Sequence, residues 1–177
     1  MEIKKELRQE YKERNGRLSR EYIKETNKAI TEVLLSSEQY RKAKTIFCYA
    51  SVGSEVATDK IFEHALEDGK VICSPRIFPD GIMEARKLQQ SEEDSLVAPK
   101  ELDLIITPCI SCDPYGNRLG RGMGYYDRYL KKIARSTVTI AVCRDRMLAM
   151  SLPRGKNDVP VRYCATESGM IECTDKK

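Results

Sequence analysis

A chain of 177 residues with 41% hydrophobic content is long enough to bury one ordinary core, and 31 basic against 27 acidic side chains leave a net charge of only +4. That balance argues against a strongly basic nucleic-acid surface and leaves a modest preference for anions. No apolar run approaches the ~18 residues of a membrane helix, and the alternating charges of 1–10 lack the apolar stretch of a secretion signal, so a soluble, cytoplasmic protein is expected.

Residues 1–42 read as helical. Ile3, Leu7 and Tyr11 recur at four-residue spacing, and Leu18, Tyr22, Ile30, Val33 and Leu34 form a second apolar stripe. Ser19 is placed to cap the second helix and Ser37 a short third one. The rhythm then changes. The run 44–50 (KTIFCYA) is strand-like, 58–68 is an amphipathic helix closed by Gly69, and 70–74 (KVICS) is a strand before Pro75. Residues 82–86 suit a solvent-edged strand and 89–99 a polar, acidic connection. A buried strand at 102–107 (LDLIIT) leads through Pro108 and a glycine-rich run to a helix ending near Arg135, then to a strand at 136–142 (STVTIAV). Strands alternating with helices imply right-handed crossovers and a sheet covered on both faces. The expected fold is therefore α/β, a three-layer α/β/α arrangement with a mostly parallel, Rossmann-like sheet preceded by N-terminal helices. One domain is expected, with a helical segment 1–42, an α/β body 43–165 and a tail 166–177.

Seven cysteines at irregular positions read as core thiols, since Cys48, Cys73, Cys109 and Cys143 lie in apolar runs. The Cys109-Ile-Ser-Cys112 pair has neither a second CxxC nor enough histidine to complete a zinc site, which disfavours metal or redox use. The single histidine, His64, falls off the apolar face formed by Ile61, Phe62, Ala65 and Leu66, and is expected in solvent.

The run 116–128, GNRLGRGMGYYDR, holds four glycines, three arginines, two adjacent tyrosines and an aspartate. Glycines let backbone N–H groups crowd an anion, arginine forks supply bidentate charge, and a following helix adds its N-terminal dipole. It is not a common phosphate fingerprint, because no Lys-Ser or Lys-Thr follows the last glycine, and a surface turn is the alternative. Its position after a buried strand and before a helix is where open α/β sheets bind ligands. The loop 51–58 leaves the strand at 44–50 in the same way, so Glu55 either faces that crevice or is an exposed loop acid.

No serine, cysteine or threonine nucleophile has a base beside it, which makes hydrolysis through a covalent intermediate a poor fit. Phosphoryl transfer fits better, since it needs positioned cations, a divalent metal and in-line geometry. Asp127, one turn into the helix, and Asp158 in KNDVP are candidate magnesium ligands, although a carboxylate near a helix N-terminus is stabilising without any metal. Lys4 and Arg8 share one helix face and repel slightly, which solvent or a bound phosphate would relieve.

The segments KKELR at 4–8, GSEVAT after a strand, SPR at 74–76 and, above all, DLIITPCISCDPYGNRLGRGMGYYDRYL at 103–130 resemble the 5-formyltetrahydrofolate cyclo-ligase (methenyltetrahydrofolate synthetase) family, in order and spacing across almost the whole chain. Asp113, the glycine-arginine core and the Tyr-Tyr-Asp ending together make the long block specific.

The resemblance implies an ATP- and Mg2+-dependent ring closure of 5-formyltetrahydrofolate to 5,10-methenyltetrahydrofolate, with release of ADP and phosphate. It implies ATP contacts at Lys4, Lys5, Arg8, Arg118, Leu119, Gly120, Arg121, Gly122, Met123, Gly124, Tyr125 and Tyr126. Folate contacts are implied at Ala50, Glu55 and the stretch from Arg121 through Gly122, Met123 and Gly124 to Tyr125. Arg121 and Tyr125 are the implied catalytic residues, and Asp127 and Asp158 the magnesium ligands. The implied partners are ATP and the folate, without nucleic acid or membrane, for a monomer. Met123 stands where the family usually has glycine or lysine, with tighter sterics expected there, and Arg162 stands where a second tail aspartate is usual. A non-catalytic nucleotide- or folate-binding module on the same fold is the alternative.

Overall fold

The computed structural model of the chain describes residues 2–88 and 95–174. Helices α1 (Glu2–Gly16), α2 (Arg20–Ser36) and α3 (Glu38–Lys42) precede strand β1 (Thr45–Cys48). Ser19 and Ser37 cap α2 and α3 as expected, their hydroxyls accepting from the Tyr22 and Tyr40 N–H groups at 3.1 Å. Helix α4 (Asp59–Glu67), β2 (Val71–Ile77), β3 (Met83–Lys87) and β4 (Leu96–Val97) follow. Then come β5 (Leu104–Pro108), β6 (Ser111–Cys112), β7 (Arg118–Leu119), α5 (Tyr125–Leu130), β8 (Val138–Val142), β9 (Tyr163–Thr166) and β10 (Gly169–Glu172).

Among the described residues, eight strands form one sheet in the order β10-β9-β8-β5-β1-β2-β3-β4. The pairs β9–β8, β8–β5, β5–β1 and β1–β2 are parallel, while β3, β4 and β10 join antiparallel at the edges. Side chains alternate across the sheet with the period of two that strands require. Ile46, Cys48, Leu104, Ile106, Ile140 and Val142 pack with Ile30, Leu34 and Ile61 of α2 and α4. Phe47, Ile105 and Ala141 pack on the other face with Tyr11 of α1 and Tyr129 and Leu130 of α5. These are the three expected layers. The direction of strand order reverses between β1 and β5, so the crevice beyond their C-terminal ends is a topological switch point.

Several expectations are corrected. Helix α5 stops at Leu130, short of Arg135, because Tyr129 and Leu130 are the last residues it buries before the chain turns at 131–137 into β8. At six residues its dipole is weak, so the N-terminal field expected at the glycine run is small. Strand β2 runs on through Pro75 to Ile77, and the polar connection contains β4, its residues 89–94 lying outside those described. Proline is tolerated there because it sits beyond the reach of the parallel partner, where β2 pairs only with β3. Cys112 is not a thiol. It is bonded to Cys164 on β9, a partner 52 residues away that no local spacing reveals. Cys109 and Cys143 are thiols that donate to the Val142 and Arg144 carbonyls. His64 is exposed, as expected, beside Glu67.

Candidate active site

The β5–α5 connection is built on Asp113. Its fully buried carboxylate accepts from the backbone N–H groups of Tyr115 (3.0 Å), Asn117 (2.9 Å) and Leu152 (2.7 Å) and from the Asn117 side-chain amide (2.9 Å). A carboxylate holding four donors fixes the short β6–β7 hairpin and joins it to the segment at 152. Gly116 occupies the turn with φ +76°, and a Cβ there would run into the Val161 carbonyl, which explains why only glycine fits. Gly122 and Gly124 also have positive φ, whereas Gly120 does not.

The charged residues named above come from four segments. Lys4 on α1 pairs with Asp158, whose Oδ2 also accepts from the Gly155 N–H. Arg8, one turn later, donates from Nε to the Gly120 carbonyl at 2.7 Å and lies against Gly122, where a side chain would press on its guanidinium. Arg121 reaches across the crevice to the loop after β1, with Nη2 2.9 Å from Glu55 Oε1 and 3.1 Å from the Val52 carbonyl. Glu55 Oε2 accepts from the Val52 N–H at 2.9 Å, which folds the loop around its own carboxylate. That loop is pinned at its base: the Tyr49 hydroxyl donates to the Val56 carbonyl and the Thr58 hydroxyl to the Tyr49 carbonyl, both at 2.8 Å. Glu55 is therefore a crevice residue rather than a loop acid in solvent.

Asp127 Oδ1 accepts from Arg118 Nη2 and from the Val159 N–H, both at 3.1 Å, which sets Asp127 beside the Asp158 segment. Burial alone would raise the Asp158 carboxyl, but hydrogen bonds from Lys4 and the Gly155 N–H, with the charge of Lys4, hold it below the ordinary 3.8. The Arg118 side chain is almost wholly buried, and among the described residues its Nε has no hydrogen-bond partner. Two adjacent, partly exposed carboxylates are hard oxygen donors of the kind magnesium takes, with water and phosphate completing its shell.

Other residues stand less centrally. Lys5 is exposed and, among the described residues, makes no bond to the site, because one helical step rotates it off the Lys4–Arg8 face. Leu119 is core, 1% exposed as a whole residue, and its carbonyl accepts from the Ile110 N–H at 2.8 Å, so it holds the hairpin rather than facing the crevice. Met123 is 64% exposed at the tip of the run, and the tighter sterics expected there are absent. Tyr125 lies under the Arg128 guanidinium, 5.1 Å from ring centroid, and Tyr126 stacks with Phe47. Burial pushes the Tyr126 phenol far up, so it stays a neutral donor. Ala50 is exposed at the end of β1. The sequence reading missed a cavity of about 230 Å³ beside the run, lined by Tyr115, Asn117, Leu152, Pro153 and Arg154, because its walls come from two segments far apart in the chain.

The profile of the 5-formyltetrahydrofolate cyclo-ligase family matches residues 1–167. The chain belongs to this family. It is 31% identical to the mouse 5-formyltetrahydrofolate cyclo-ligase over 89% of this chain and 90% of that one. With the probable 5-formyltetrahydrofolate cyclo-ligase of Caenorhabditis elegans it shares 33% identity over 72% of each. The solved Aquifex aeolicus 5,10-methenyltetrahydrofolate synthetase superposes with a TM-score of 0.85 at 25% identity, covering 99% of this chain and 95% of that one. The Mycoplasma pneumoniae 5,10-methenyltetrahydrofolate synthetase shares the fold, with a TM-score of 0.82 at 22% identity, covering 93% and 98%. As a cyclo-ligase family member the chain is an enzyme of the ligase class. Among the described residues no helix is long and apolar enough to cross a membrane.

Proposed function

We propose that this protein closes 5-formyltetrahydrofolate to 5,10-methenyltetrahydrofolate with ATP and magnesium, as a cytoplasmic monomer without nucleic-acid or membrane partners. The observation that carries this reading is the meeting of four distant segments in one crevice, through the contacts Lys4–Asp158, Arg8–Gly120, Arg118–Asp127 and Arg121–Glu55. Cations and carboxylates alternate there, the arrangement that a triphosphate, a metal and a second substrate need together.

The chemical obstacle is that a formamide carbon is a poor electrophile and its oxygen a poor leaving group. In the proposed sequence the γ-phosphoryl group of ATP passes to the formyl oxygen, and ADP leaves. The N10 lone pair then attacks the formyl carbon, N10 loses its proton, and the C–O bond breaks with its electrons on departing phosphate. Lys4, Arg8 and Arg118 hold the nucleotide phosphates, and the backbone of 118–126 wraps them. Arg118 Nε, buried and without a partner among the described residues, is a donor that an anionic ligand would satisfy. Arg121, exposed over 59% of its side chain and so open to a ligand, neutralises charge on the transferring phosphoryl group. Glu55 orients the folate beside Ala50, and Tyr125 borders the formyl group. Asp127 and Asp158 would hold the magnesium ion, which when bound supplies charge neutralisation across the phosphates.

The test is direct. Protein, 5-formyltetrahydrofolate, ATP and magnesium should together raise the near-ultraviolet absorbance of the methenyl product, with stoichiometric ADP. Folded protein that binds ATP but produces no such rise is instead a non-catalytic binding module.

A further inference from the structure

Arg144, two residues past β8, is 3% exposed, yet it carries a full positive charge in the protein interior. Its guanidinium donates three bonds: Nε to Thr26 Oγ1 at 3.0 Å, Nη1 to the Ser54 carbonyl at 3.0 Å, and Nη2 to Asn27 Oδ1 at 2.8 Å. All three acceptors are neutral. Among the described residues no carboxylate forms an ion pair with it, and burial lowers its pKa from the ordinary value. A buried cation with no carboxylate bonded to it, and with Glu167 acting on it only through its field, is costly, so its bonds have to accomplish something that packing alone would not.

The acceptors say what that is. Ser54 immediately precedes Glu55, and Asn27 Oδ1, besides receiving Arg144, accepts from the Ala57 N–H at 3.3 Å. The loop is thus gripped on both sides of Glu55, at 54 and at 57, by one arginine and the amide it fixes. Thr26 and Asn27 belong to α2, which packs on β9, so the grip refers Glu55 to the rigid sheet rather than to the loop itself. A lysine's donors all sit on one nitrogen, whereas the planar fork presents three nitrogens to three acceptors.

We propose that Arg144 is a positioning residue for the second substrate, which through Ser54 and Asn27 sets the height and orientation at which the Glu55 carboxylate meets the folate. The proposal rests on the reading of Glu55 as a folate contact. It predicts an effect confined to the folate half of the crevice, because Arg144 makes no bond to Lys4, Arg8, Arg118, Asp127 or Asp158.

Two measurements on Arg144→Met, Arg144→Lys, Glu55→Ala and the Arg144→Met/Glu55→Ala double variant test it. Amide hydrogen exchange of the ligand-free proteins should be about tenfold faster at 52–57 in Arg144→Met, with the β1 and β5 amides unchanged. In steady-state kinetics Arg144→Met should raise the folate KM about tenfold while the ATP KM stays within about twofold, and in the Glu55→Ala background it should add less than about twofold. Arg144→Lys should recover part of both effects, and it carries the test if the methionine variant does not fold. An ATP KM that rises in step with that for folate, folate effects of the two single variants that multiply, or unchanged exchange at 52–57 would each overturn the proposal. If the wild-type protein does not turn over the formyl folate, the proposed function fails on its own assay, while the exchange arm still decides whether Arg144 holds the loop.

Discussion

Arg121 and Glu55 pair with each other across the crevice, and this pair is where single-residue predictions are sharpest. Removing the cation that should meet the transferring phosphoryl group, Arg121→Ala, is expected to lower kcat by about 10²- to 10³-fold, as loss of one preorganised donor typically does, with a smaller effect on ATP binding. Steady-state kinetics with equilibrium ATP titration check this, and unchanged kcat would remove Arg121 from the chemistry. Asp158 offers a pH test. Its folded pKa is depressed, so the stability it contributes is fully present above pH 3.8 and is lost as pH falls through the lower folded value. Lys4→Met should move the Asp158 carboxyl upward in a carbon-13 NMR titration, and an unmoved titration would mean that Lys4 does not hold it down. At this scale the sequence named charges that the fold brings together, because Lys4, Arg8, Arg121, Asp127 and Asp158 sit in compact local patterns. It was silent on Arg144, since nothing in STVTIAVCR says that an arginine at a strand end will be buried against residues 26, 27 and 54.

Among elements, the short β6–β7 hairpin does the most with the least sequence. Its two-residue strands carry no period to detect, and its stability comes from Asp113 and from Gly116 lying under Val161. Gly116→Ala combines a positive φ with a collision against fixed backbone and should cost about 1–3 kcal/mol, a midpoint loss of several degrees in a thermal melt. Gly120→Ala meets open space at ordinary φ and should stay within about 0.5 kcal/mol of the parent. Equal effects at the two positions would show that the run tolerates substitution by composition rather than by conformation. The two glycines look alike in GNRLGRG, which is why the loop was legible as a site but not as a geometry.

Across the whole molecule, the central strands announced themselves as apolar runs buried on both faces, while β9 and β10 did not, being four residues each and bounded by Arg162, Ser168 and Gly169. Those strands bring 158–161 back to the crevice, and with them the second carboxylate. Magnesium should therefore raise the thermal midpoint in the presence of a non-hydrolysed ATP analogue, by about 2.7 kcal/mol of added stability at a hundredfold excess over Kd. Asp127→Asn/Asp158→Asn should abolish the magnesium-dependent part in a melting series with and without the metal, whereas retention of that part would place the ion elsewhere. The Arg121–Glu55 contact also spans the two halves of the crevice, so on the proposed function nucleotide and folate would both have to displace one and the same internal bond. Whichever substrate arrived first would break that bond, the other would then bind without the penalty, and thermodynamic linkage would require the gain in affinity to be equal in both directions.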